Sequence, residues 1–340
     1  MSDVLKPARD PLRWSAPAEL AEIFVPLGSR MRLETNSPRI LEACRMSFGR
    51  YGSPPSSDHP RVQIAMRLLV DETFTEEPPW PDPIFRGQGD IFYVTVGKQN
   101  TAIAHLQNGF ATGFVAPAMA RDTVFLRNTF LDCLVLTMLT HGRAGTHTYA
   151  HASAVAWGNR GLIFSGPSQS GKTTLAFACA RRGFNVVSDD VVYLRDGDAG
   201  LTVWGKPWHL RFLPDCTRFF PELKDAAAHL RFAGKDCVEV DVDEIFPGRT
   251  QSRCQPEAIF FLQRRPGPAA YEPLDPQGAL ELLARDLVQD KAEAIERHRR
   301  FWLALIHRGC YLLRFDEDLD AAVRLLERFL QQPASARGVS

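Results

Sequence analysis

The chain has 340 residues, 45% of them hydrophobic and 24% charged, with 40 basic residues balanced by 40 acidic ones. That length suits one large domain with a smaller appendage, and a net charge of zero gives no sign of nucleic acid or a membrane as partner. The seven cysteines contain no C-x-x-C pair, which argues against a disulfide frame or a zinc site and for reduced thiols in a cytoplasmic protein.

Residues 1–20 read as a loose leader lacking the apolar stretch of a signal peptide. "AEIFVPLGSRMRLETN" alternates as two strands around Gly28, and Ser37 followed by Pro38 marks a helix start. "RVQIAMRLLV" predicts a strand, and the proline-rich, acidic "TFTEEPPWPDP" a surface loop. The runs "DIFYVTVG", "TAIAHL" and "ATGFVAP" predict three strands joined closely enough to pair antiparallel. Asp122 then caps a helix carrying Phe125, Leu126, Phe130, Leu134, Met138 and Leu139, which ends at the Gly142 and Gly145 breakers. Arg127, Asn128 and Asp132 interrupt its apolar run, so the expectation is that it is too short and too charged to span a bilayer.

After this the character changes. "THTYAHASAVAW" and "GLIFS" predict strands, "KTTLAFACARR" a helix stopped by Gly183, and "FNVVSDDVVYL" a further strand, the succession of an α/β core. "EAIFFLQRR" and "CYLLRF" predict buried strands, and "DPQGALELLARDLVQ", "KAEAIERHRRFWLALIH" and "DEDLDAAVRLLERFLQQ" predict helices. The expected organisation is a sheet-rich α+β module over residues 1–120, a nucleotide-binding α/β domain over 121–332 and a disordered tail over 333–340.

Between "GLIFS" and the following helix stands "GPSQSGKT", which fits G-x-x-x-x-G-K-[ST]. Gly166 and Gly171 let the backbone approach a ligand, so that the amides of Pro167-flanked Ser168, Gln169, Ser170 and their neighbours can converge on phosphate oxygens. The helix starting at Lys172, with Thr173 and Thr174 in its first turn, adds the positive end of its dipole. Lys172 supplies a point charge to the outer phosphates and Thr173 a hydroxyl ligand for Mg²⁺. Lysine is scarce, seven of the 40 basic residues, so one in a glycine-rich loop stands out. The pattern predicts a nucleoside triphosphate with Mg²⁺ and leaves adenine or guanine open; ATP is the nucleotide expected for a kinase.

Asp189 and Asp190 follow seventeen and eighteen positions after Lys172. In a parallel sheet one crossover would return the chain beside the loop and put both carboxylates near the phosphates. One can then hold Mg²⁺ and the other take a proton from an attacking hydroxyl; the alternative is that Asp-Asp only opens a turn.

The order "HASAVAW", "GLIFSGPSQSGKTT", "RRGFNVVSDDVVYL" resembles the catalytic domain of the HPr kinase/phosphorylase family and its kinase-like relatives, a domain related to the nucleotide site of phosphoenolpyruvate carboxykinase. The similarity covers Tyr149 to Arg195. It implies a P-loop kinase fold, with Asp189 as the base, Asp190 on Mg²⁺ and His151 near the transferred phosphate; a packed strand histidine is the alternative for His151. Thr174 stands where HPr enzymes carry an acidic residue, and no "GLGIIN"-type signature follows, so the chain resembles the divergent relatives.

In "WGKPWHLRF", Lys206 and Arg211, with His209 between them, can contact the γ phosphate or an acidic substrate, or else form a solvated strand edge. Glu239, Asp241 and Asp243 alternate as a metal or substrate feature or as a solvated face. The expected activity is transfer of a γ phosphate to a hydroxyl of a peptide, a protein or a small molecule. A regulatory nucleotide-binding module and a carboxykinase-type enzyme are the alternatives, and a homo-oligomer is compatible with either. The N-terminal module is the expected selector of the acceptor.

Overall fold

The computed structural model describes residues 17–52, 62–142, 146–197, 200–224, 228–232, 235–287 and 292–332. Most of the leader and the whole tail, 333–340, lie outside the described residues. The protein is a mixed α/β structure with several sheets, and it divides into two compact units, Met1–Ala144 and Gly145–Ser340.

In the first unit β1 (Leu20–Phe24) and β2 (Met31–Thr35) form the expected hairpin. Helix α1 (Pro38–Phe48) carries the chain over to β3 (Ile64–Val70), which lies parallel to β2. Pro38 occupies the first turn as predicted, but the Ser37 side chain makes no capping bond; its carbonyl accepts from the Leu41 amide instead. Then come β4 (Ile84–Gln88), β5 (Ile91–Val96), β6 (Asn100–His105) and β7 (Phe110–Val115), giving a seven-stranded sheet in the order β1-β2-β3-β7-β6-β5-β4. The sequence reading had no strand for β4: it is a wholly exposed edge containing Gly87, so it carries no alternation of buried and exposed residues.

After the short α2 (Pro117–Arg121), helix α3 (Thr123–His141) opens on the Asp122 cap, whose carboxylate accepts from the Phe125 amide at 3.1 Å. It includes a π-helical stretch, Arg127–Asp132. At 19 residues α3 is long and apolar enough, by length and composition, to cross a membrane, contrary to the sequence expectation. Leu126, Phe130, Leu134 and Met138 are nevertheless buried inside this unit, against α1 among others. The division between units therefore falls after α3, not before it as the sequence suggested.

The second unit opens with β8 (His147–Trp157) and β9 (Arg160–Ser165), antiparallel to each other. Helix α4 (Lys172–Arg181) leads to β10 (Asn185–Ser188), followed by β11 (Val191–Gly197), β12 (Gly200–Trp204) and β13 (His209–Phe212). Next come β14 (Ala228–Phe232), β15 (Lys235–Asp241), β16 (Arg253–Arg264), β17 (Ala270–Pro273), α5 (Pro276–Ala284), α6 (Ala292–Ile306), β18 (Cys310–Phe315) and α7 (Leu319–Gln331). Strands β9, β16 and β18 run parallel at the heart of an eight-stranded sheet, while β13, β15 and β14 make a separate three-stranded one.

Strand β9 is buried on both faces, which is why it reads as a continuous apolar run. Leu162 and Phe164 pack in a cluster with Phe177 of α4 and Phe329 of α7, and Ile163 in another with Leu280 of α5 and Trp302 of α6. Layers on both sides thus lock β9, and the loop that leaves it starts from a fixed point.

The crossover differs from the simple parallel pair expected from the sequence. Strand β10 does not pair with β9; β8 lies between them, antiparallel to both. The "FNVVSDDVVYL" run is also broken into β10 and β11 at Asp189 and Asp190. Strands β9 and β10 still point the same way, so the end of β10 comes to the side of the sheet where the glycine-rich loop begins.

Candidate functional site

The backbone leaves β9 through Gly166 at φ 152° and enters α4 from Gly171 at φ 95°, both in the region that favours glycine. A Cβ on Gly166 would lie 2.8 Å from Ser170 Oγ, and one on Gly171 would lie 3.2 Å from the Phe315 ring. Between them Gln169 holds φ 69° without being glycine, a local strain of about 1 kcal/mol that marks a conformation set by its surroundings. Pro167, Ser168 and Gln169 are exposed, whereas Ser170 is buried at 8% and its Oγ has no hydrogen-bond partner.

Among the described residues, the amides of Gln169, Gly171, Lys172 and Thr173 donate to no protein acceptor; the first helical bond runs from Leu175 N to Gly171 O at 2.8 Å. Lys172 folds back over the loop, donating from Nζ to the carbonyls of Gly166 at 2.8 Å and Pro167 at 3.2 Å. Burial lowers its pKa, against the opposing charges of Asp190, Asp189 and Asp286. Unpaired amides at a helix start, an orphan buried hydroxyl and one buried ammonium form a seat suited to a polyanion.

Across from the loop, β10 ends at Ser188, and the chain bends through Asp189 and through Asp190, which holds φ 64°. Oδ1 of Asp189 accepts from Thr173 Oγ1 at 2.8 Å and from Ser153 Oγ at 2.9 Å, and Oδ2 accepts from the Arg211 amide at 3.0 Å. Burial pushes this carboxyl from 3.8 up to about 6, the negative charge of Asp190 adds to the rise, and the three donors oppose it. Asp190 is held through its carbonyl, which accepts from the Ala152 amide at 3.0 Å. His151 lies two residues from Ser153 on the same face of β8.

The structure thus brings the loop, Lys172, Thr173, Asp189 and Asp190 together, with His151 on the adjoining strand face. Arg211 meets Asp189 through its backbone, while its guanidinium Nε donates to Glu239 at 2.9 Å. The amide of Lys206 donates to Ser188 Oγ at 3.4 Å. Of the alternating acids, Glu239 pairs with Arg211, Asp241 caps a single helical turn through the Asp243 amide, and Asp243 accepts from the Thr250 hydroxyl. The described residues include no group of three or more His, Cys, Asp or Glu arranged to hold a metal ion. A surface hollow lined by Arg181, Phe246 and Arg249 lies at the opposite end of α4 from the loop and includes none of these groups.

Sequence reasoning missed Ser153. It is one small residue in the run "HASAVAW", and only its spacing from His151 hinted that it faces the same way.

No family model matches the chain, and no curated protein matches it. Among solved structures it is distantly similar to the HPr(Ser) kinase/phosphatase from Coxiella burnetii, with 16% identity and a TM-score of 0.29 over 54% of this chain and 99% of that one. At that distance the similarity bears on neither ligand nor chemistry.

Proposed function

We propose that this protein is an ATP-dependent kinase that transfers a γ phosphate to a hydroxyl acceptor. The observation that carries the reading is the Asp189 carboxylate, raised towards neutral pH by burial and hydrogen-bonded to Thr173 in the first turn of the helix behind the glycine-rich loop. A phosphate loop and a buried carboxylate with a raised pKa, joined by one hydroxyl, suit proton removal beside a triphosphate.

In this reading the unpaired amides of Gln169, Gly171, Lys172 and Thr173, together with Gly166, Pro167, Ser168, Ser170 and Thr174 around them, enclose the phosphates. Lys172 leaves the loop carbonyls to neutralise their charge. The Thr173 hydroxyl and Asp190 would hold Mg²⁺, which would offset the charge on the phosphate oxygens. Oδ1 of Asp189 is occupied by two hydroxyls, so Oδ2, which accepts one amide, takes the acceptor's proton. His151 serves the same side of the site, and Lys206 and Arg211 border it on the acceptor side. The acceptor, a serine of a peptide or protein or a small alcohol, is proposed to be met in the cytoplasm.

The test is radiolabelled ATP incubated with magnesium and with candidate acceptors or a lysate. Label transfer that disappears in Asp189→Asn while nucleotide still binds supports the proposal. Transfer at the wild-type rate in that variant removes Asp189 as the base. Binding without any turnover leaves a regulatory nucleotide-binding module.

A further inference from the structure

Three anchors on three elements hold Asp189: Ser153 on β8, Thr173 on α4 and the Arg211 amide on β13. They differ in what else they must do. The Thr173 hydroxyl has one proton and two lone pairs, and a cation or phosphate at the loop would dictate its orientation. The Arg211 amide belongs to the separate three-stranded sheet. Ser153 sits in the middle of β8, fully buried at 0% exposure and paired with Phe164 of β9, so its Cβ direction is fixed by the central sheet.

A fully buried hydroxyl is unfavourable unless it is hydrogen-bonded. The bond that Ser153 makes is to Asp189, at 2.9 Å.

We infer that Ser153 is a positioning residue for Asp189: its hydroxyl holds Oδ1 while the Thr173 hydroxyl changes partner, so that Oδ2 stays turned towards the acceptor. This rests on the reading of Asp189 as the base. The charged groups that act on the carboxylate are Asp190 in the same bend and Lys172 of α4, and its donors are Thr173, Ser153 and the Arg211 amide; of the two hydroxyls, that of Ser153 lies on β8 and not in the first turn behind the loop.

The experiment uses the full chain with Ser153→Ala and Ser153→Thr. Binding of magnesium–ATP is measured by calorimetry, and turnover as ADP release with water or a simple alcohol as the acceptor. Ser153→Ala is expected to bind within about twofold of wild type and to turn over about 10- to 100-fold more slowly, the usual result of a misplaced reacting group. Ser153→Thr, which keeps the hydroxyl, is expected to recover most of the rate. Crystal structures of wild type and Ser153→Ala with magnesium and a non-hydrolysable ATP analogue supply the second readout: the Ser153 bond persists in wild type, and Asp189 turns away from the Arg211 amide in the variant. Turnover at the wild-type rate in Ser153→Ala, or an Asp189 that does not move, overturns the inference. Should wild type bind the nucleotide without releasing ADP, the kinase reading fails, and the carboxylate's position in nucleotide-free crystals of Ser153→Ala still decides whether Ser153 holds it.

Discussion

Asp189 is a buried carboxyl whose proton is held more tightly in the folded chain than in the unfolded one, with its pKa pushed from 3.8 to about 6. Between those values the native state binds the proton and the unfolded state does not, so this group's stabilising contribution is lost as the pH rises through that window. At pH 8 the ionised carboxylate costs on the order of 2–3 kcal/mol. We expect Asp189→Asn to be more stable than wild type at pH 8 and to lose that advantage below about pH 4, as read from urea unfolding at both pH values. An advantage that is the same at both would mean that burial is not the cause. On the proposed reading, transfer activity should fall as the pH drops through about 6, because Asp189 is then protonated. Reading "SDD" as a pair of working carboxylates needed only the sequence, but the rise to about 6 follows from burial, which no local pattern reports.

Element by element, the apolar patterns of β8, β9, β16 and β18 and of helices α4 to α7 were legible because each is pinned by a buried face. Helix α4 is held by Phe177, whose ring packs 4.5 Å from Phe220, 5.1 Å from Phe246 and 5.5 Å from Phe212. Phe177→Ala should lower stability by about 3–5 kcal/mol and loosen the loop that α4 supports, detectable as weaker nucleotide binding alongside a lower denaturation midpoint. The start of α3 was legible from its cap. Asp122 also accepts from Trp80 Nε1 at 2.9 Å, so Asp122→Ala should cost about 1–2 kcal/mol, measured by urea unfolding, and change the Trp80 fluorescence. Strand β4 was not legible, since an exposed edge has no buried face to impose a period.

For the whole molecule, a nucleotide that binds only the native state should raise stability by about 2.7 kcal/mol at a hundred times its dissociation constant. A thermal melt in magnesium–ATP is expected to show the shift in wild type and none in Lys172→Ala; equal shifts in both would remove Lys172 from the site. All seven cysteines are free, and burial pushes the thiols of Cys133 and Cys254 up to about 12, so a reducing agent should leave the melt unchanged.

The sequence alone determined the loop and its ends: glycine spacing, one lysine, an apolar strand before and a helix after are local properties carried by consecutive residues. Only tertiary structure decided what Asp189 touches. Its donors come from positions 153, 173 and 211, brought together by β8 inserted between β9 and β10 and by a second sheet. It likewise decided that the Arg211 guanidinium is tied to Glu239, because cross-strand pairing, not spacing along the chain, sets which side chains meet.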